Sequence, residues 1–305
     1  RGRGQGDCGV AAATVLGAGV RLAIAVLLAA GVLWGAAASA VRSDALALLM
    51  VAPPEVAQGA AFRIEVAAAE RARVRATAGD RALLLYRTAT GFRGFAGTDP
   101  TTPPGKLAVR VRVELRGREL SLVRTVRVRP ARFAIRYLRV PPELLDPRLA
   151  AYERRRVLAA TSAPLPRPLW EGPFRLPVGG PVASPYGVRS VYNGQARGHH
   201  LGVDIRAAAG TPVQAAHDGV VVLAERLPLG GNTVIVDHGA GVFTSYVHLQ
   251  SLAVSVGARL RQGQVVGSVG STGLSTAPHL HWAVRVNGVL VDPLQWIRGG
   301  LVSGP

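Results

Sequence analysis

The sequence predicts a mainly β protein built from four successive parts. Apolar and polar residues alternate in short runs between residues 50 and 139, and Gly-rich turns separate short Val/Ile strands from residue 176 onward. A single stretch between these regions has helical spacing. The predicted parts are an apolar N-terminal segment at 1–45, an Ig-like β-sandwich at 46–140, a helix with a Pro-rich linker at 141–175, and an antiparallel β domain at 176–305.

The composition of the chain excludes extensive disorder and any site that needs two or more cysteines. The chain has 305 residues, of which 49% are hydrophobic and 18% charged. That hydrophobic content excludes disorder over most of the chain. Cys8 is the single cysteine, so an intrachain disulfide and a cysteine-ligated zinc site are both excluded.

The segment Leu22–Val41 is an uncharged Ala/Leu/Val run with arginines on both sides. It ends in Ala38-Ser39-Ala40, a small-x-small pattern that a signal peptidase can cut. About 20 apolar residues are also enough to span a bilayer. We expect a cleaved signal peptide, with an uncleaved membrane anchor as the alternative. Either way, everything after residue 41 is exported.

The predicted sandwich rests on period-two alternation in Phe62–Val66 and Val109–Leu115, followed by a β-rich run from Leu120 to Val128. Residues 46–140 contain 18 basic and 7 acidic residues, a net charge of +11, whereas residues 176–305 carry +3. An ordinary solvated sheet face is the first interpretation of this arginine stripe, and Arg110, Arg112 and Arg127 are candidates for contacts with anionic wall or membrane groups. Few aromatic residues interleave with the arginines, so no nucleic-acid partner is predicted.

The connector begins at Pro141-Pro142, and residues Glu143–Ala160 have the spacing of one helix. Its apolar positions are Leu144, Leu145, Leu149, Tyr152 and Leu158. Four prolines follow at 164, 166, 168 and 173, and they predict a stiff linker.

All seven histidines lie after residue 176. His200 and Asp204 form an H-x-G-x-D pattern, and His279-Leu280-His281 is an i, i+2 pair on a predicted strand. On a strand both imidazoles of that pair point to one face. A catalytic zinc site uses three nitrogen or oxygen ligands and leaves a position for water. His200, Asp204 and one histidine of the pair satisfy that count.

The segments around these motifs carry a resemblance to a known family. They are Ser184–Arg189, Gly210–Val213, Asp237-His238-Gly239, Tyr246–Leu249 and Gly270–Gly273. In order and spacing, residues 176–298 resemble the lysostaphin-type, or LytM-like, zinc metallopeptidases. The resemblance implies an antiparallel β peptidase domain with a duplicated hybrid motif and a narrow groove. It also implies one zinc ion per chain on His200, Asp204 and His281, catalytic roles for His248 and His279, and bacterial peptidoglycan as the substrate.

The chemistry of the residues agrees with that resemblance. The H-E-x-x-H motif of many zinc peptidases is absent, and histidine suits acid–base work because its ordinary pKa is about 6.5. Which of His248 and His279 takes the proton stays open. We expect His199 to point away from the metal, and His217 and His238 to be surface or loop residues. Asp237 either orients a histidine or serves as a turn residue.

Two functions follow from the resemblance. The first is a zinc-dependent endopeptidase that cleaves cross-links or stem peptides of peptidoglycan in the periplasm or at the wall. The alternative is a catalytically silent relative that activates cell-wall amidases. Every ligand and catalytic position holds a competent residue, which favours the enzyme. We further hypothesise that the sandwich positions the enzyme or masks its groove, and that residues 176–305 alone bind zinc and cleave.

Overall fold

The computed structural model describes residues 47–299 and 301, and it is mainly β as the sequence predicts. The apolar segment Leu22–Val41 lies outside the described residues, so the signal or anchor prediction is not tested. Within the described part of the chain, no helix is both long and apolar enough to cross a membrane.

The N-terminal region contains two sheets in which most neighbouring strands are antiparallel. Its strands are β1 Ala47–Ala52, β2 Glu55–Ala57, β3 Ala61–Ala68, β4 Arg73–Ala78, β5 Arg81–Leu83, β6 Leu85–Thr88, β7 Gly91–Gly97, β8 Gly105–Leu115, β9 Arg118–Arg129 and β10 Ile135–Leu138. One sheet has the order β1-β3-β7-β6, and the other has the order β2-β9-β8-β4-β5. The two sheets enclose a shared apolar core that includes Phe62, Ile64, Val111 and Val126.

Alternation along β8 explains the sandwich. Val109, Val111 and Val113 are buried, while Arg110 and Arg112 between them are exposed. Successive side chains on a strand face opposite sides, so one face builds the core and the other faces solvent. This outward face of the five-stranded sheet is called the arginine face below.

Strand β10 does not belong to either sandwich sheet, although it lies within the range predicted for the sandwich. Ile135–Leu138 pairs in parallel with β12 (Arg189–Tyr192), more than 50 residues further along the chain. Together with β13 (Gln195–His199) they form a three-stranded sheet of order β10-β12-β13. The segment that ends the N-terminal region is therefore part of the C-terminal region's structure.

The connector helix is shorter than predicted. A 3-10 turn occupies Pro142–Leu145, and helix α1 runs from Pro147 to Ala160. The break falls at Asp146 because the residue before a proline avoids helical backbone angles. The Asp146 side chain then caps α1 by accepting from the Arg148 backbone N–H. Tyr152 and Leu158, predicted as apolar contact positions, are exposed.

The Pro-rich linker is attached to the C-terminal region rather than acting as a free spacer. Leu165 donates its backbone N–H to Asp237, and Leu169 donates to the carbonyl of His238. The Trp170 and Phe174 side chains are buried in the C-terminal core. These aromatic anchors explain why the linker stays on the surface of the domain.

The C-terminal region is built on an eight-stranded sheet. Beyond β12 and β13, its strands are β11 Val182–Ser184, β14 Val203–Arg206, β15 Pro212–Gln214, β16 Gly219–Leu227, β17 Gly231–Gly239, β18 Val242–Leu249, β19 Ser251–Leu252, β20 Arg259–Leu260, β21 Val265–Ser268, β22 His279–Val286 and β23 Val289–Val291. The sheet order is β11-β14-β22-β18-β17-β16-β20, with β23 paired to β22. Strands β15, β21 and β19 form a separate sheet, and a short helix α2 spans Leu294–Ile297.

The two regions are docked through specific contacts. The Gln295 side chain both donates to the Ala61 carbonyl and accepts from the Ala61 N–H, each over 2.8 Å. Phe95 of the sandwich packs against Trp170 and Trp296, with ring centroids 5.6 Å apart in both cases. One apolar core thus continues across the junction.

Candidate metal centre

The H-x-G-x-D and H-x-H motifs meet on two neighbouring strands. Asp204 lies on β14 directly opposite His281 on β22 in the antiparallel register. His200 lies just before β14, so the two motifs are brought together at one point of the eight-stranded sheet. His279 and His281 share a face because they are two residues apart on the same strand.

Three potential ligand atoms converge at this point. His200 Nε2 lies 2.8 Å from Asp204 Oδ1, and His281 Nδ1 lies 2.9 Å from the same oxygen. The two imidazole nitrogens are themselves 2.9 Å apart. His200 and Asp204 are buried and His281 is partly buried, so the cluster is shielded from bulk solvent.

The glycine of H-x-G-x-D is required by this packing. A Cβ atom on Gly202 would lie 2.6 Å from His281 Cε1 and 2.7 Å from His281 Nε2. A larger residue would therefore push His281 out of the cluster. The His200 ring is oriented from its other side, because its Nδ1 lies 3.0 Å from the Pro185 carbonyl oxygen and donates to it.

The donor set fits a cation. With Nδ1 of His200 bonded to the Pro185 carbonyl, its Nε2 is the ring atom directed at the Asp204 carboxylate and the one available to a metal. Burial raises the Asp204 pKa, but hydrogen bonds from His200 and His281 outweigh it and hold that pKa well below its ordinary value. Burial also lowers the pKa of His281. A carboxylate and two neutral imidazoles are the ligands that zinc accepts.

His248 and His279 stand beside the three ligand atoms. Their ring centroids are 4.9 Å apart, and the His248 centroid is 6.1 Å from that of His281. His248 donates from Nδ1 to the Thr272 carbonyl over 2.8 Å, and His279 donates from Nδ1 to the Ala277 carbonyl over 2.8 Å. A carbonyl oxygen only accepts, so the Nε2 atom of each ring is left as a proton acceptor.

His248 occupies an unusual position for a strand residue. Its φ angle is 64°, in the left-handed region, where β18 ends. Its backbone N–H donates to the Gly230 carbonyl over 2.9 Å. Burial lowers the His248 pKa to about 3, and repulsion from His281 and His279 adds to the shift. The ring is therefore neutral at neutral pH.

The remaining three histidines lie away from this cluster. His199 bonds to the Gly187 carbonyl through Nδ1 and packs against the ring of Phe133. His217 lies in the loop between β15 and β16, as predicted, although its side chain is buried. The prediction of a surface or loop residue is wrong for His238, which is buried on β17. His238 packs on Phe174, and burial lowers its pKa to about 4. The sequence did not reveal this because the covering ring comes from the linker.

Asp237 serves as a turn residue and does not contact a histidine ring. Its Oδ1 accepts from the Gly239 backbone N–H, and its Oδ2 accepts from the Leu165 N–H. The second bond ties the Pro-rich linker to the end of β17. Of the two interpretations offered by the sequence, the turn is the one observed.

The sequence analysis missed two charged residues that reach the site from outside the C-terminal region. Arg136, on β10, donates to Asp204 Oδ2 over 3.3 Å. Glu153, on α1, accepts from the backbone N–H groups of Leu229 and Gly230. The Gly230 carbonyl in the same loop accepts from the His248 backbone N–H. No local sequence signal identifies either residue, because both act across long separations in the chain.

Comparison with known proteins agrees with this geometry. The model of peptidase family M23 matches residues 198–293, which contain His200, Asp204, His248, His279 and His281. The chain is 44% identical over 94 residues to the peptidoglycan DD-endopeptidase ShyC of Vibrio cholerae, covering 31% of this chain and 22% of that protein. It is 40% identical over 121 residues to the murein hydrolase activator EnvC of Escherichia coli, covering 40% of this chain and 28% of that protein. The chain thus spans about a quarter of the length of these relatives.

A solved structure extends the similarity beyond the matched domain. The crystal structure of a Pseudomonas aeruginosa protein described as a candidate M23 peptidase superimposes with a TM-score of 0.63 at 26% identity. The similarity covers 80% of this chain and 95% of that one, so it extends well beyond residues 198–293. The C-terminal domain, which contains residues 198–293, is therefore a peptidase family M23 domain of the LytM/lysostaphin type.

Proposed function

We propose that this protein is a zinc-dependent endopeptidase that hydrolyses peptide bonds in bacterial peptidoglycan. The observation that carries the proposal is the convergence of His200 Nε2, Asp204 Oδ1 and His281 Nδ1, whose ligand atoms all lie within 4.8 Å of one another. The name of the relative ShyC supports peptidoglycan as the substrate, and the match to peptidase family M23 supports peptide hydrolysis.

His200, Asp204 and His281 would hold one zinc ion per chain. When bound, zinc supplies a Lewis acid that lowers the pKa of a water ligand towards about 7. The protein's own residues prepare this site before any metal arrives. Pro185 fixes the His200 ring, Gly202 leaves room for His281, and both histidines direct a ring nitrogen at the same carboxylate oxygen.

His248 and His279 would move protons and stabilise developing charge. Each ring keeps its proton on Nδ1 through a bond to a backbone carbonyl, so Nε2 is free to accept a proton. His279 Nε2 lies 3.7 Å from Asp204 Oδ1, within reach of groups bound at the metal centre. General acid–base assistance of this kind is worth about 10²–10⁴ in rate.

A cavity at the junction of the sandwich, helix α1 and the β22–β23 turn offers space for part of the substrate. It encloses about 430 Å³ and is lined by residues of α1, by Leu201 and Leu229, and by Arg285. Arg285 lies on β22 four residues beyond His281, so strand alternation places it on the same face as the two histidines. We assign this cavity to the stem peptide of the substrate.

The proposal is tested by metal analysis and by digestion of purified peptidoglycan. The full exported chain, purified without chelators, should contain one zinc per chain and release soluble fragments with new peptide ends. A chelator should stop the release, and added zinc should restore it. A zinc-loaded protein that releases no fragments from cross-linked peptidoglycan, and no peptide ends from soluble fragments, would refute the endopeptidase assignment.

A second candidate is the amidase activator named in the sequence analysis. The similarity to EnvC, a murein hydrolase activator, supports it. Under this alternative, peptidoglycan would be degraded only when a cell-wall amidase is present, and the products would be cleaved at the amide bond to the sugar. The intact set of candidate ligands favours the enzyme.

Export follows from the proposed substrate, which lies outside the cytoplasmic membrane. We propose that the peptidase domain works in the periplasm or at the cell wall, with the N-terminal segment serving as signal peptide or anchor. A reporter that is active only in the cytoplasm, fused after residue 305, should remain silent. Strong reporter activity would contradict this location.

The arginine face is proposed as a contact for anionic wall or membrane groups. The Arg112 and Arg127 side chains are 74% and 76% exposed. Cross-strand register places Arg75 opposite Arg112 and Lys106 opposite Arg127, and such like-charge pairs do not favour the sheet itself. Glu119, 3.9 Å from Arg112, and Glu55, 3.7 Å from Arg127, offset part of this repulsion, and an anionic partner would offset more of it.

A further inference from the structure

One arginine reaches the candidate metal centre from a part of the chain that the family match does not include. Arg136 lies on β10, 62 residues before the first matched position at 198. Its side chain is 25% exposed, and that of its acidic partner Asp204 is 12% exposed. The contact is therefore a shielded ion pair, which solvent and salt weaken less than an exposed one.

The guanidinium group is held by two serine hydroxyls as well as by the carboxylate. Arg136 donates from Nε to Ser190 Oγ over 2.9 Å. It donates from Nη1 to Ser184 Oγ over 3.0 Å and to Asp204 Oδ2 over 3.3 Å. Ser184 Oγ in turn lies 3.3 Å from His200 Nδ1. Arg136 thus contacts one candidate ligand directly and reaches a second through Ser184.

The backbone fixes the position of this side chain. Strand β10 pairs in parallel with β12, and Arg136 stands directly opposite Ser190 in that register. Before the strand, the Phe133 ring fills the space over Gly187, where a Cβ atom would lie 2.1 Å from it. After it, the Asn193 side chain donates to the Val140 carbonyl and accepts from the Val140 N–H. Both ends of the segment are therefore attached to the peptidase domain.

The two oxygens of Asp204 have different partners. Oδ1 faces His200 and His281, whereas Oδ2 faces Arg136. The terminal torsion of an aspartate side chain is broad and nearly two-fold, so an unrestrained carboxylate rotates easily. A guanidinium bonded to Oδ2 stops that rotation and leaves Oδ1 directed at the two histidines.

We propose that Arg136 is a positioning residue for the metal centre, which holds Asp204 so that a single oxygen is presented as ligand. The inference rests on the proposed zinc site and adds to it a residue that lies upstream of the connector helix. The metal centre is then completed by the end of the N-terminal region. Residues 176–305 alone contain the three ligands but lack this support.

The test measures metal affinity in the full chain rather than activity. Arg136→Gln removes the charge and the fixed fork of donors. Zinc dissociation constants, determined by competition with a chromogenic chelator, should rise about 10- to 100-fold, the usual effect of losing a partner that orients a metal ligand. Arg136→Lys should recover only part of that loss, because an ammonium group cannot reproduce the planar guanidinium contacts.

A matched control separates this effect from a change in overall charge. Arg139→Gln makes the same charge change three residues away. Arg139 is exposed, and within residues 47–299 no hydrogen bond or ion pair is found for it. Its zinc affinity should equal that of the unaltered chain. Cobalt loaded in place of zinc gives a second readout, since the visible absorption bands report ligand geometry and should change in Arg136→Gln but not in Arg139→Gln.

Circular dichroism and thermal unfolding of the metal-free protein show whether Arg136→Gln folds. If it does not, Ser190→Ala provides the test. It keeps the arginine but removes the hydroxyl that accepts from Nε, and it should weaken zinc binding several-fold. A folded Arg136→Gln with unchanged zinc affinity and an unchanged cobalt spectrum would overturn the inference. If Arg136→Gln does not fold, unchanged zinc affinity in Ser190→Ala would overturn it. If the unaltered chain bound no zinc, the proposed function itself would fail, which is a different result.

Discussion

Two sheets of this protein contain strands in which polar and apolar residues alternate. The polar face of one sheet is exposed to solvent, whereas that of the other is largely buried. On the arginine face of the sandwich, Arg110, Arg112 and Arg127 extend into solvent. On the eight-stranded sheet, helix α1 packs on part of the face to which β22 contributes His279 and His281. The side chains of these two histidines are only 18% and 19% exposed. Both faces follow the same period-two pattern in the sequence.

The difference shows that alternation determines which residues share a face but not whether that face is covered. The histidine face is covered by elements from elsewhere in the chain. Helix α1 packs Val157 and Ala160 onto Leu223, Ile235 and Phe243. The loop before β17 is held to α1 by Glu153. Covering lowers the solvent screening of charges, which is what a catalytic site needs and a docking surface does not.

The largest effect is expected from removing a candidate ligand on the covered face. His281→Ala should lose both bound zinc and peptidoglycan hydrolysis, because two remaining ligands hold zinc poorly. Zinc content by atomic emission and release of soluble fragments are the measurements. The matched control is His279→Ala, two residues away on the same strand, which should keep the metal. Equal zinc loss in both variants would contradict the ligand assignment.

His248→Ala should separate metal binding from catalysis. The ring donates to Thr272 and lies beside the cluster without joining it, so zinc content should stay at one per chain. The kcat should fall about 10²–10⁴-fold, as expected when a group that assists proton transfer or stabilises charge is lost. Near-normal turnover in a zinc-loaded variant would show that His248 has no such role.

Burial of His238 predicts a loss of stability in mild acid. Its folded-state pKa is lowered to about 4, below the ordinary value, so the neutral ring stabilises the fold fully above pH 6.5. This contribution falls as the pH drops from 6.5 to 4, because the unfolded chain binds the proton first. The loss amounts to about 3 kcal/mol at most.

The measurement is the free energy of unfolding of the metal-free protein in urea at pH 7.5 and 4.5, compared with His238→Gln. The substitution removes one titrating group, so the pH-dependent loss should shrink by about 2 kcal/mol. His199→Gln is the control, since His199 lies at a strand end, where its ring bonds to the Gly187 carbonyl and packs against Phe133. An unchanged pH dependence in His238→Gln would contradict the buried, neutral assignment.

Glu153→Ala tests whether the covering helix supports the site. The Glu153 carboxylate accepts from Leu229 and Gly230, and the Gly230 carbonyl accepts from the His248 backbone. Loss of two charge-assisted bonds should let this loop move and lower kcat about tenfold, with zinc content unchanged. Arg155→Ala, at an exposed position on the same helix, should leave kcat unchanged. Equal kcat values for the two variants would show that Glu153 does not support the site.

The smallest effect per residue is expected on the arginine face. Replacing Arg110, Arg112 and Arg127 together by Gln should weaken binding to intact cell wall at low salt, by less than about 1 kcal/mol per charge. The difference should vanish at high salt, because exposed charges are screened within about 8 Å at physiological ionic strength. Sedimentation with purified wall measures the binding.

The control for the arginine face replaces Arg226, Arg259 and Arg261, three exposed residues of the peptidase domain, by Gln. This triple variant changes the net charge equally but leaves the sandwich unaltered. If both triple variants weakened wall binding to the same extent, general charge and not the arginine face would explain the attraction.

The sequence by itself predicted the mainly β fold class and, together with the resemblance to a known family, the three residues of the candidate metal cluster. Period-two alternation identified strands such as β8 and β22, since that pattern reflects the local pleat of the backbone. The H-x-G-x-D and H-x-H motifs could be recognised in the sequence because their spacing places each pair of side chains together within one short segment.

Only the tertiary structure decided which residues support that cluster. Arg136 and Asp204 are separated by 68 residues, and the buried His238 is covered by Phe174 from the linker. Contacts over such separations depend on how strands pair and which element covers a face. A single sequence carries no periodic signal for that pairing, because local pattern leaves the choice of partner strand open. The parallel pairing of β10 with β12 is the clearest case, since it brings a residue of the predicted sandwich range to the candidate zinc site.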